Sequence, residues 1–178
     1  MSTAPQTLAS VQAILQERQL DALIVSQPDN RRYLSSYTVP DHGIQESSGY
    51  LLIPQEGQPW LLTDSRFTLQ AEAEAKGFRL HVYRRGLLEA LEALLPQLTV
   101  QSLGFEADYF LYSTHARLME LAEKLTLQLV ATTNLVEDLR VVKTAEELEL
   151  IRKSSSLNDQ VFQRVYAQVA PGQSEREI

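Results

Sequence analysis

The chain contains no cysteine. That excludes a disulfide framework and any thiolate metal site. Phosphate-cradling glycine patterns are missing too. No G-x-G-x-x-G follows a strand-like run, no G-x-x-x-x-G-K-[ST] occurs, and the seven glycines are scattered as turn formers. H-E-x-x-H and G-x-S-x-G are absent, which removes the commonest zinc-peptidase helix and the nucleophile elbow. No apolar run approaches the roughly 20 residues of a membrane span. "MSTAPQTLASVQ" lacks the basic and apolar regions of a signal peptide. Positive charge is scarce: Lys+Arg number 16 against Asp+Glu 23, a net charge of −7. Pairs such as Arg31-Arg32 and Arg84-Arg85 are too short for a basic patch. Nucleic acid and an anionic membrane are therefore not expected as partners. These absences lead us to expect a soluble, cytoplasmic protein.

What is present is an ordinary globular composition, 44% hydrophobic and 22% charged over 178 residues. Leu8, Val11, Ile14 and Leu15 repeat at helical spacing, predicting a helix over about 5–19. "DALIVS" (21–26) is a short apolar run with β-branched members, as in a strand covered on both faces. Pro28, Asp29 and Asn30 suit a turn or helix cap, with Tyr33, Leu34 and Tyr37 giving an apolar face beyond it. "TVPDHGIQESS" (38–48) has little periodicity and reads as a loop. "GYLLIP" and "PWLLT" around "QEG" predict a hairpin. A helix is expected over about 66–76, capped by Asp64 or Ser65 and closed by Gly77. Then "FRLHVY", "SLGFE" and "LQLVAT" read as strands, alternating with "LLEALEALLPQL" and "YSTHARLMELAEKL" as helices. The fold class expected is α/β: a mixed sheet flanked by helices, its hairpin supplying an antiparallel pairing. Residues 1–133 would form this domain and 134–143 a linker. From Thr144, which with Glu147 forms a capping box, a long helix should run to about Val169. Its stripe of Leu148, Ile151, Phe162, Val165 and Val169 needs a partner surface. Ser174 and Glu177 have the form of another capping box, so the last residues look like the start of a further helix.

Chemistry-bearing residues are few. His81 and His115 fall in a predicted strand and helix, where a lone histidine is usually structural. His42 lies in the 38–48 loop beside Asp41, and loops carry function more often than core elements do. Asp64 and Arg66, at a strand end, have two readings. The guanidinium could bind a carboxylate, or Asp64 could cap the next helix while Arg66 pairs with it. Trp60 reads as sheet filling, and the helix-face glutamates as solvated.

Several stretches together resemble the creatinase/prolidase/aminopeptidase P group, the "pita-bread" metallopeptidases. They are "DALIVSQPDNRRYLSSYT", "LLIPQEGQPWLLTDSRFTLQAEAEA", "SLGFEADYFLYSTHARLMEL" and "VEDLRVVKTAEELELIRKSSSLNDQVF" with "APGQSEREI". The most specific piece is the junction of Leu139-Arg140, Lys143, Glu146-Glu147 and Ile151-Arg152 with Pro171-Gly172 and Glu175. Asn30–Leu34 and Asp64–Phe67 support it. Ser154–Ser156 depart from it, standing where the family usually carries alanine-rich positions. The resemblance implies a noncatalytic N-terminal domain followed by a C-terminal catalytic domain with two divalent metals, manganese or cobalt. Those ligands would all follow the P-G-x-[ST]-E segment, so residues 144–178 would be only the start of the catalytic domain. It further implies a homo-oligomer, a proline-containing peptide substrate for the whole enzyme, and no catalytic or metal-binding residue in this chain. Tyr37, Asp41 and His42 are candidates for shaping substrate access by loop position, and Arg66 for meeting a substrate carboxylate. Alternatives are a peptide- or protein-binding relative that has lost its metals, a creatinase-like amidinohydrolase, and an independent module that assembles through its long helix.

Overall fold

The computed structural model describes residues 4–178. Two compact units divide them, one up to Arg140 and the other from Val141 to Ile178.

The first unit is built on one six-stranded sheet. Its strands are β1 (Ala22–Val25), β2 (Tyr50–Pro54), β3 (Trp60–Asp64), β4 (Arg79–Tyr83), β5 (Ser102–Glu106) and β6 (Gln128–Thr132). They lie in the order β4-β3-β2-β1-β5-β6. β2 pairs antiparallel with both β1 and β3, and the remaining pairs are parallel. Five strands therefore point the same way and β2 alone runs against them. The mixed sheet expected from the sequence is the one observed.

Helices cover both faces. On one side lie α1 (Ala4–Glu17), α2 (Pro28–Ser35), α3 (Thr68–Glu74) and α6 (Leu135–Val141); on the other lie α4 (Leu87–Leu94) and α5 (Tyr112–Leu125). The alternation of side chains along a strand sorts the core between the faces. Leu23, Val25, Leu51, Ile53 and Leu61 meet Val11 and Leu15 of α1, while Ala22, Ile24, Leu52 and Leu62 meet Leu91 and Leu94 of α4. All four residues of β1 are buried, which is why its sequence is an unbroken apolar run. Its register against β5 is pinned at the amino edge, where Asp21 Oδ2 accepts from the Gln101 and Ser102 N–H groups, each at 2.8 Å. The Ser102 N–H is the main reason the Asp21 carboxyl is held below its usual range.

Gly49 precedes β2 where there is no room for a side chain. A Cβ there would stand 2.8 Å from the Leu62 carbonyl oxygen, a backbone atom that cannot swing aside. Gly49→Ala is expected to cost about 1–3 kcal/mol, the usual penalty of overpacking. Gly104→Ala should cost less, because its methyl would meet flexible ends of Leu20 and Leu23 at 3.2 Å. Urea unfolding followed by the fluorescence of Trp60, the single tryptophan, measures both.

Residues 134–143, read from the sequence as a linker, contain α6, whose Leu135 and Val136 are buried in the core. In the second unit, α7 (Ala145–Tyr166) opens on the expected capping box: Thr144 Oγ1 accepts from the Glu147 N–H, and Glu147 Oε2 accepts from the Thr144 N–H. None of its residues is buried, and Leu150, Ile151, Leu157, Val161 and Phe162 are exposed. Ser174 and Glu177 do interact, the carboxylate accepting from the Ser174 N–H and hydroxyl, but the segment is a turn and not a helix.

Candidate functional site at the carboxyl edge of the sheet

The five codirectional strands end along one rim, and β2 starts there. Thr7 aside, every buried polar side chain among the described residues lies at this rim or on α2 beside it: Ser26, Asn30, Arg31, Ser35, Ser48, Thr63, Glu106 and Thr132. In open α/β sheets, ligand and active sites gather outside the carboxyl ends of strands. The connection from β1 to β2, residues 26–49, and the turns after β3, β4 and β5 make up the rim. Its polar groups form three clusters.

The first is built on Arg31, which is fully buried. Its Nη1 donates to the Gly49 carbonyl at 2.5 Å and to Ser47 Oγ at 3.2 Å. Its Nη2 donates to the Val39 carbonyl at 2.9 Å, and to Asp41 Oδ1 and Ser48 Oγ, each at 2.8 Å. The Asp41 side chain is only 3% exposed, and the same Oδ1 accepts from the Ser48 N–H. One guanidinium thus clamps both ends of the 38–48 loop. Tyr37 lies beneath it, its ring 5.5 Å from the Arg31 guanidinium carbon. Its hydroxyl donates to the Ser48 carbonyl at 3.2 Å and lies 3.4 Å from Thr63 Oγ1. Burial pushes the Tyr37 phenol above its usual range.

The second cluster is exposed. Asp64 caps the short turn Ser65–Phe67 by accepting from the Arg66 N–H, and both of its oxygens accept from the Arg66 side chain. Arg66 also donates to Glu46 Oε1 at 2.9 Å, tying the turn to the loop tip. Hydrogen bonds from Arg66 hold both carboxyls below their ordinary range and hold the guanidinium above its own.

The third cluster is centred on Glu106, the last residue of β5 and nearly buried. Its Oε2 accepts from the Ser26 N–H at 2.6 Å, the Gln27 N–H at 2.7 Å and Ser26 Oγ at 3.1 Å. Its Oε1 accepts from Asn30 Nδ2 at 2.7 Å. Asn30 Nδ2 also donates to Glu137 Oε1 at 2.6 Å, while Asn30 Oδ1 accepts from Arg140 Nη1 at 2.7 Å. Burial raises the Glu106 carboxyl above its usual range, opposed by these donors and reinforced by the Glu137 charge.

The four residues singled out from the sequence all sit at this rim, with unequal access. Tyr37 is fully buried and Asp41 has its carboxylate inside, so both face the protein and anchor the loop. His42 and Arg66 are the accessible pair. His81 packs edge-on to Trp60, and His115 packs on Phe105. Arg31 and Glu106, the best-connected polar groups of the rim, were not anticipated as site residues.

Among the described residues, no three His, Asp or Glu side chains are grouped to hold a metal ion. Asp41 is committed to Arg31, and Glu106 to backbone and Asn30 donors. The described residues do not fit a divalent metal pair.

A three-layer α/β domain with one reversed strand and a polar carboxyl rim is the class of protein defined by these observations. Residues 8–142 match the family described as the Creatinase/Prolidase N-terminal domain, and the chain belongs to that family. A curated relative, "Uncharacterized peptidase YqhT" of Bacillus subtilis (strain 168), is 25% identical over 156 residues, covering 88% of this chain and 41% of the relative. An Xaa-Pro dipeptidase from Bacillus anthracis superposes with a TM-score of 0.84 at 26% identity, over 98% of this chain and 46% of that one. The N-terminal domain of the cytoplasmic peptidase PepQ from Mycobacterium tuberculosis H37Rv superposes with a TM-score of 0.66 at 25% identity, over 75% of this chain and 98% of that one. The chain thus spans less than half the length of the first two. No helix among the described residues is long and apolar enough to cross a membrane.

Proposed function

We propose that this chain serves as the noncatalytic N-terminal domain of a metal-dependent Xaa-Pro aminopeptidase or prolidase-like hydrolase. The carrying observation is the family match over residues 8–142, together with the likeness of nearly the whole chain to under half of an Xaa-Pro dipeptidase. In this reading a C-terminal catalytic domain of the same protein holds the manganese or cobalt ions and cleaves a proline-containing peptide. Residues 1–133 are the accessory domain, 134–143 the connection, and 144–178 the opening of the catalytic domain. The carboxyl rim shapes access to the active site and contributes contacts in a homo-oligomer. His42 and Arg66 face the approaching peptide, while Tyr37 and Asp41 act indirectly by fixing the loop that carries His42. The domain works in the cytoplasm.

The test compares the 178-residue chain with the full-length protein on an Xaa-Pro dipeptide with added manganese or cobalt. The expected result is turnover by the full-length protein that a chelator abolishes, and none by the 178-residue chain. Hydrolysis by the short chain alone, or a metal-loaded full-length protein inert toward Xaa-Pro substrates, overturns the proposal.

A further inference from the structure

Helix α6 is held to the sheet by an unusual junction. Two acids from different elements, Glu106 at the end of β5 and Glu137 on α6, both accept from one nitrogen, Asn30 Nδ2 of α2, at 2.7 and 2.6 Å. Both hydrogens of that amide are thereby used, and two carboxyl groups stand as neighbours, Glu106 buried and Glu137 half-buried. The apolar contribution to docking comes from Leu135 and Val136, which are buried, and Leu139, which packs partly against the same cluster. A seven-residue helix has little stability of its own. The polar junction therefore has leverage over whether α6 stays in place.

We propose that α6 is a proton-controlled latch, closed when the Glu106 carboxyl is protonated and weakened when it is charged beside Glu137 and the Asn30 amide that both acids share. The proton comes from solvent and settles on Glu106 Oε1, the oxygen with a single donor. Protonation there removes the negative charge that faces the Glu137 carboxylate across the shared Asn30 amide. Glu106 Oε2 keeps the Ser26 and Gln27 N–H donors throughout, with the single Ser26 hydroxyl hydrogen shared between it and the Tyr109 carbonyl. The direction of the Glu106 shift agrees with this: burial and the Glu137 charge both favour the protonated form.

The groups facing this junction come from each element around it. From α2 there is Asn30; Asp29 turns its carboxylate to Gln27 Nε2. Glu137 and Arg140 come from α6, the latter donating to Asn30 Oδ1. The turn after β5 supplies the Tyr109 carbonyl, which accepts from Ser26 Oγ. The group on whose titration the latch turns is Glu106.

Hydrogen exchange of the 178-residue chain between pH 5 and 9, corrected for intrinsic exchange rates, tests the latch. Protection of residues 136–140 is expected to fall as pH rises, by about tenfold for each unit by which docking raises the Glu106 titration. Protection of β1 should stay level over the same range. Glu137→Gln, at a half-exposed position, should flatten the α6 profile while leaving β1 protected. A flat α6 profile in the unaltered chain overturns the proposal without recourse to any variant. So does an unchanged pH dependence in Glu137→Gln, or loss of α6 and β1 protection in parallel.

Discussion

Arg31→Met is expected to lower the unfolding free energy of the sheet unit by about 3–5 kcal/mol, the cost of removing one partner from a buried ion pair. The substitution keeps much of the side chain's volume, so the effect isolates the guanidinium. Without it the Asp41 carboxylate remains inside with only Ser48 donors, and the Gly49 carbonyl loses its guanidinium donor. Arg31→Lys should recover only part of the loss, because an ammonium cannot serve the Gly49, Val39 and Asp41 oxygens from one rigid plane. Removing both charges in Arg31→Met/Asp41→Asn should be less damaging than Arg31→Met alone, the signature of a coupled pair. Equilibrium urea unfolding monitored at Trp60 decides this; a loss below about 1 kcal/mol for Arg31→Met would mean the clamp is incidental to stability.

Glu106→Ala should cost about 3 kcal/mol, since the buried Ser26 N–H and the part-buried Gln27 N–H just after β1 both lose their acceptor. Its pH dependence has a distinctive sign. The folded-state carboxyl titrates above its unfolded value, so within that window the native state binds more protons than the unfolded state. Stability contributed by Glu106 is then fully present below the unfolded pKa and is partly lost as pH rises through the folded one. The gap between the parent chain and Glu106→Ala is accordingly expected to be widest in mild acid and to narrow toward pH 8. Asp21, Asp64 and Glu74 behave oppositely, their lowered values contributing stability that disappears on acidification. The total stability therefore falls in acid even as the Glu106 difference grows, and only the subtraction reveals it. A gap that widens steadily with rising pH would refute the assignment.

The two residues behind these predictions show where reading a sequence stops. β1 was visible because four buried residues in a row leave an apolar run, and α1 because Val11 and Leu15 recur at helical spacing. The hairpin was visible because Gly57 interrupts two such runs. Arg31 was not, because its partners lie 8, 10, 16, 17 and 18 residues away across a loop with no periodicity. Beside the exposed Arg32, it looked like half of a surface pair. Glu106 ends an ordinary strand, and its donors come from about 80 residues earlier in the chain. α6 is two turns long, too short for a repeat to declare itself, and its identity depends on what it docks against. Tyr37, Asp41 and His42 stood out by loop position and Arg66 through the resemblance, but nothing local in the sequence says that all four share one rim. Which of them turn inward depends on the clamp.

The reversal of β2 has a consequence for how such a domain can diversify. A chain that departs from β1 and re-enters β2 at the same end never has to traverse the sheet between them. Insertions or deletions in that excursion leave the ladder's alignment untouched, and doubling its length adds only about 0.6 kcal/mol of closure entropy. Provided the arginine staple at its base is retained, the tip carrying His42 and Ile44 is a place where one scaffold can be refitted for different neighbours.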